Sequence, residues 1–477
     1  MPPSSKKWFI SPGRRWLCLL LVWALTALWC PGPAAAADQV LGVREKLPND
    51  LVWLYSQQTG LPLVTLELTI KAGTLQDPKG KEGLANLTAS LLLSGTKSRN
   101  ATQIAQELDF MGARLKAGGG DDFASISLVI LKKDLGAGLE LLKDVLLNPT
   151  FSLPEVQRKV AQYKAALESE QDEPMVVAGR TFAKDLYGDF PYGHPVRGTP
   201  QGLAAITPKD LAEFHRTYYR PNNTVLSLVG DLTQAEAGQA VSKTFGSWAA
   251  APIPALKLPP IPPLSQRQAV VIDKDISQAN IILGSLGINR QNPDFYAFQV
   301  MNYILGGGGF SSRLMDDIRE NRGLAYSVSS SFSPGLEPGP FTVALETKNP
   351  SAAEAVTQVL EQLKLIMSQP VQPKELEDAK SFFIGSFARK MDSMSKRAWL
   401  LSYVEVYGLG LDYPWKYPDL IQHLTPADIQ KVAEKYLHPD KYLLVVVGKK
   451  AAMPSLTGDA TGAKKEEKKD EEKKSNH

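Results

Sequence analysis

The chain has 477 residues, with 53 Lys and Arg against 50 Asp and Glu, a formal charge of +3. So even a balance gives no electrostatic reason to expect a nucleic-acid partner, whose phosphates call for a concentrated basic surface. Between two unusual ends lie roughly 410 residues, more than one hydrophobic core usually serves, so two or more domains are expected.

At the start, Lys6, Lys7, Arg14 and Arg15 precede an apolar run from Trp16 to Trp29, followed by Pro31 and Ala34-Ala35-Ala36-Ala37. Basic residues, a short apolar segment and small residues in that order read as a signal peptide over 1–37, with cleavage after Ala37. The run is too short to cross a bilayer with margin, so no stable membrane span is expected. Cleavage would remove Cys18 and Cys30, the only cysteines, and four basic residues but no acidic one, leaving a charge of −1. The exported chain would then form no disulfide and would rest on core burial alone. The predicted location is the periplasm of a Gram-negative bacterium.

After a predicted strand, Val64 to Ile70, come Lys71-Ala72-Gly73-Thr74, then Gly83-Leu84-Ala85, a helix, and Ser94-Gly95-Thr96. This framing resembles that of the inverted zinc motif, His-x-x-Glu-His, of the pitrilysin/insulinase-type metallopeptidases, the inverzincins. The likeness is strongest to processing-peptidase-like bacterial members and covers nearly all of the chain beyond residue 37. In active relatives two histidines on one helical face bind zinc, and the Glu between them takes a proton from the metal-bound water. The matching positions here are Asn86, Ala89 and Ser90, and a third ligand about 76 residues farther on corresponds to Ala166, with Glu168 close by. An amide and a hydroxyl are poor zinc ligands beside imidazole, and alanine has no proton acceptor. The resemblance therefore implies a chain that binds no metal and hydrolyses no peptide by itself.

No other residues replace the motif. The histidines His194, His215, His423, His438 and His477 include no pair three or four apart, and no Gly-x-Ser-x-Gly elbow occurs. His194 reads as a loop residue, and His215 and His423 lie on or beside amphipathic helices.

Farther on, the chain repeats itself. Thr207-Pro208-Lys209-Asp210-Leu211 returns as Thr425-Pro426-Ala427-Asp428-Ile429, and Val225–Gly230 returns as Leu443–Gly448, both at an offset of 218 residues. Each copy reads as a helix opened by Thr-Pro, a turn with proline, and an apolar strand closed by glycine. The predicted strand Ser125–Ile130 and helix Leu135–Leu146 correspond to Phe341–Glu346 and Ala352–Met367. The fold expected is α+β, a tandem duplication of a mixed α/β domain. The first copy would cover 38–250 and the second 266–450, joined by a linker over 251–265 that contains six prolines between Pro252 and Pro263.

The second copy carries Gly306, Gly307, Gly308 and Gly309, then Ser311-Ser312-Arg313-Leu314 and, later, Arg319 and Tyr326. The glycines lack the Lys-Ser/Thr of a phosphate loop and read as a glycine turn. In the family that this segment resembles, an Arg and a Tyr seven residues apart bind the substrate backbone opposite the zinc, and Arg319 and Tyr326 match. A reading with no functional role pairs Arg319 with Asp316 and packs Tyr326 at a strand start. Tyr403, Tyr407, Tyr413, Trp415 and Tyr417 form a late aromatic run that reads as core. From 451 to 477 alternating Lys and Glu give a solvated tail.

The resemblance implies half of a heterodimeric zinc metallopeptidase. A homologous partner subunit would hold the zinc, and this chain would supply Arg319 and Tyr326 to the peptide substrate. The alternative is a non-proteolytic peptide-binding or assembly scaffold of the cell envelope.

Overall fold

The computed structural model describes residues 39–453 and Leu456. The signal-peptide reading, both cysteines, His477 and nearly all of the charged tail lie outside the described residues. Among the described residues no helix is long and apolar enough to cross a membrane.

Two sheets repeat one topology. The first contains β1 (Val43–Lys46), β2 (Val52–Gln57), β3 (Leu63–Ile70), β4 (Arg114–Gly119), β5 (Ala124–Leu131) and β6 (Thr224–Gly230), in the order β1-β2-β6-β3-β5-β4. The second contains β7 (Gln268–Asp273), β8 (Gln278–Leu286), β9 (Ala325–Phe332), β10 (Pro340–Lys348) and β11 (Leu443–Gly448), in the order β7-β11-β8-β10-β9. With β1 set aside the orders coincide, and even the parallel pairs correspond, β2 with β6 and β7 with β11. The repeated Thr-Pro segments become capped helices, Pro208–Tyr218 and Pro426–Tyr436. Thr207 and Thr425 each accept from the backbone three residues on, and Asp210 and Asp428 close the box.

The two halves exchange equivalent helices. Helix Pro174–Tyr187 of the first half lies on β8 and β11 of the second sheet, where Ala178 and Phe182 pack with Ile282, Leu443, Val445 and Val447. Helix Met394–Val406 of the second half lies on β3 and β6 of the first sheet. There Ser402 Oγ meets Ser227 Oγ at 2.9 Å and Arg397 Nε donates to Ser56 Oγ at 2.7 Å. Each sheet is thus buried on one face by its own helices and on the other by a helix of the other half.

Asp122 ties the halves again. Its carboxylate accepts from the Tyr192 hydroxyl and from the backbone of Leu336, at 2.9 Å, on the loop between β9 and β10. Between the halves, residues 249–267 form no helix or strand, but Leu258 and Ile261 are partly buried against the cluster around Phe182. The linker is therefore packed along the molecule. Met453 and Leu456 are buried in the second core, past residue 450 where the solvated tail was expected to begin.

Candidate functional site

The helix Leu84–Leu91 carries the positions where zinc ligands would stand. Its start is held from outside: the Asp77 carboxylate accepts from the backbone nitrogens of Gly83 and Ala85, both at 2.7 Å. Burial pushes the Asp77 carboxyl up to about 7, and His194 Nε2 lies 4.0 Å away. His194, expected on a loop, is mostly buried, and burial lowers its basicity. His215 Nε2 donates to the Leu146 carbonyl, 2.7 Å away, and burial pushes the imidazole down to about 4.

Asn86 and Ser90 share one helical face. Asn86 Oδ1 accepts from Gly119 N at 3.1 Å and from Ser90 Oγ at 3.3 Å. Because a backbone N–H can only donate, this contact fixes which end of the Asn86 amide is oxygen. With its proton given to Asn86, Ser90 Oγ accepts from the Tyr163 hydroxyl at 2.6 Å. Ala89 is fully buried in the first core. Edge strand β4 presses on this helix so closely that a Cβ added at Gly119 would lie 2.7 Å from Asn86 Cα.

Asn86, Gly119, Tyr163 and Ala166 line a cavity of about 650 Å³ together with Glu170, Arg180 and Arg197. The fold thus brings Asn86 and Ala166 to one cavity, although they are far apart in sequence. Glu168 is exposed and does not line it. The carboxylate that does is Glu170, one helical turn beyond Ala166, and both its oxygens are engaged, one by Arg180 and the other by Arg197. An amide, a hydroxyl hydrogen-bonded to a phenol, two methyl side chains and a carboxylate held by two guanidiniums do not fit zinc. Among the described residues no group of three or more His, Cys, Asp or Glu side chains is placed to hold a metal ion.

The second half presents the other set of residues. The glycines expected as a turn divide between elements. Tyr303–Gly307 continues the helix Phe295–Asn302 as a π-helical turn that includes Gly306 and Gly307. A Cβ at Gly306 would lie 2.5 Å from Ser330 N, so this end of the run is packed on β9. Gly308 links it to a short 3₁₀ turn, Gly309–Ser311, where φ is +63° at Gly309, the left-handed region that favours glycine.

A second π-helical segment, Met315–Asn321, carries Arg319. Its guanidinium lies near two rings, 5.0 Å from the centre of Phe310 and 5.3 Å from that of Tyr326. Its nearby carboxylate is Glu320, at 3.4 Å, and Asp316 is contacted instead by Asn321. Tyr326, at the start of edge strand β9, is 73% exposed and Phe310 71% exposed. Cation–π contact pre-orients a guanidinium without using its N–H groups, so that with Nε facing Glu320 the terminal Nη groups stay available to peptide carbonyls. None of the residues lining the Asn86 cavity comes from the second half. Phe310 was quoted in the motif but given no role, since only the fold brings its ring to Arg319.

The late aromatic run encloses a cation. Arg290 is 3% exposed, stacks 3.8 Å from the Phe295 ring centre, and donates to the hydroxyls of Tyr403 and, at 3.1 Å, Tyr413. Trp415 is partly exposed at the surface.

Residues 53–200 match the model for insulinase, peptidase family M16, and residues 205–383 match that for the peptidase M16 inactive domain. The chain is 26% identical over 392 residues to an uncharacterized zinc protease of Rickettsia bellii, covering 82% of this chain and 93% of the relative. It is also 26% identical to the non-peptidase homolog YmxG of Helicobacter pylori, covering 83% of this chain and 91% of that one. The crystal structure of a peptidase M16 inactive domain from Pseudomonas fluorescens superposes with a TM-score of 0.80 at 30% identity, over 85% of this chain and 98% of the other. The two repeated α/β domains, the inverted-motif frame and these matches together place the chain in the insulinase family, peptidase family M16.

Proposed function

We propose that this chain is the non-catalytic subunit of a heterodimeric zinc metallopeptidase, exported to the periplasm, whose homologous partner holds the zinc. The observation that carries this reading is the pairing of Arg319 with the exposed Tyr326 at edge strand β9, neither of which lines the cavity at the degenerate zinc positions. Donors so placed serve a site that another molecule completes. The Arg319 guanidinium would hold a peptide carbonyl, and the Tyr326 phenol would donate to the oxygen that gains charge as the peptide bond is attacked. Edge strand β9 lies beside them, and its outer backbone groups can pair with an extended substrate strand. Two segments of π-helix around the pair fit a functional role, since that geometry is rare and recurs at functional sites.

The test is reconstitution with a homologous subunit that carries His-x-x-Glu-His. Peptide cleavage is expected from the mixture and not from this chain alone. Arg319→Ala and Tyr326→Phe should each lower the kcat of the mixture by about a hundredfold or more, within the range for losing one such donor. Unchanged rates for both variants would sink the assignment. If no such partner forms a complex while the chain still binds peptides, the scaffold reading takes its place.

A further inference from the structure

We propose that the cleft left at the degenerate zinc positions is an anchor for a peptide carboxylate, held by Arg180, Arg197 and the Asn86 amide, with an apolar terminal side chain in the adjoining cavity. This inference concerns the first half of the chain and Leu258 of the linker, and needs no partner subunit.

The charge on the cleft is the first argument. Its charged lining residues are Glu170, Arg180 and Arg197, two cations to one anion, and Lys159 Nζ stands 5.8 Å from the ring of lining residue Tyr163. Burial and the neighbouring Arg197 lower the basicity of Arg180, as expected where like charges are crowded without enough counter-charge. A second carboxylate would complete the pairing.

The donors left over are the second. Arg180 uses Nη2 on Glu170 and Nη1 on the Leu167 carbonyl at 3.3 Å, while Arg197 uses Nη1 on Glu170. Nε of Arg180, and Nε and Nη2 of Arg197, have no hydrogen-bond partner among the described residues. Nor does Asn86 Nδ2, which the Gly119 contact leaves at the cavity wall once Oδ1 is committed. Guanidinium and amide N–H groups around one cavity match the acceptor-only chemistry of an ionised carboxyl.

The neighbouring space is the third. A second cavity, of about 750 Å³, shares Arg180 and Pro195 with the first. Leu75, Phe190, Pro191 and Leu258 form an apolar patch in its wall, which also carries carboxylates and lysines such as Asp77, Glu82 and Lys184. A peptide whose carboxylate reaches Arg180 therefore has this patch beside it for its last side chain.

The test uses the purified chain and fluorescein-labelled peptides of one sequence. One ends in Leu with a free carboxylate, one in Leu amide, and one in Leu amide preceded by Glu. Fluorescence anisotropy should show the free acid binding at least tenfold more tightly than the amide. Arg197→Gln, a change at a half-exposed side chain, should abolish that preference while leaving the unfolding midpoint in place. The Glu-containing amide should bind no better than the plain amide; if it equals the free acid, the occupant is an acidic side chain and the terminal assignment is overturned. Equal binding of acid and amide, a preference that survives Arg197→Gln, or no binding of the free acid at millimolar peptide would each overturn the proposal. The preference for acid over amide is read on this chain alone and the subunit reading on cleavage by the mixture, so failure here and failure of the subunit reading are separately visible.

Discussion

Glu67 shows how far a single side chain depends on its surroundings. It sits on β3 opposite Ser127 and Ser227, is 9% exposed, and burial pushes its carboxyl from 4.5 up to about 7 against a modest opposing hydrogen bond from Ser127. The folded protein therefore holds this proton more tightly than the unfolded chain. Stability from it is complete below about pH 4.5 and is lost as the pH rises through 7. Glu67→Gln should remove that loss, leaving the variant more stable than the parent at pH 8 by on the order of 2 kcal/mol. Denaturant midpoints of both proteins across pH 4–8 test this. His215 has the opposite sign, losing stability as pH falls through about 4, but it is common to both proteins and cancels in the difference. A constant gap between the two curves would refute the role given to Glu67.

At the scale of elements, the degenerate zinc helix is held by two contacts, one at its start and one at Asn86 itself. Asp77 satisfies two backbone nitrogens at its start, and Asp77→Ala should cost about 1–2 kcal/mol, as for loss of a helix cap. Gly119 lets β4 approach, and a methyl there meets Asn86 Cα at 2.7 Å, so Gly119→Ala should destabilise by about 1–3 kcal/mol. Thermal unfolding reads both, and a neutral Gly119→Ala would mean that β4 moves freely away from the helix. The sequence named Asn86, Ala89, Ser90 and Ala166, because the motif frame is local and its spacing survives. It did not reveal Glu170, Arg180 or Arg197, whose convergence depends on how helix Leu153–Ser169 turns into helix Pro174–Tyr187 and on where the loop at Arg197 returns. The spacing of Arg319 and Tyr326 was legible for the same local reason. Phe310, whose ring lies 5.0 Å from the guanidinium, was not, because only the fold brings the 3₁₀ turn that carries it to Arg319.

Across the whole molecule, the exchanged helices make each half part of the other's core. Phe182 is 3% exposed and its ring abuts Gly284 of β8, so Phe182→Ala removes first-half atoms from the second sheet's core at about 3–5 kcal/mol. Hydrogen exchange should show protection falling in β6 and β11 together; a loss confined to β11 would mean that the halves unfold independently. Proteolytic cleavage within Pro252–Pro263 should likewise leave two fragments that co-elute in size-exclusion chromatography.

The sequence alone determined the duplication, because repeated capping boxes and strands closed by glycine at one offset are local patterns, copied residue by residue. It also showed, through side-chain chemistry, that the frame of a zinc motif holds no ligands. Only the tertiary structure decided what lies over the sheets and in the cleft. On β3, Val64, Leu66, Leu68 and Ile70 alternate with Thr65, Glu67 and Thr69, a pattern that by itself leaves the polar face to water. That face is buried because helix Met394–Val406, more than three hundred residues later, crosses from the other half to cover it. Likewise the sequence showed the zinc ligands gone, whereas the guanidiniums that took their place in the cavity came together only through the fold.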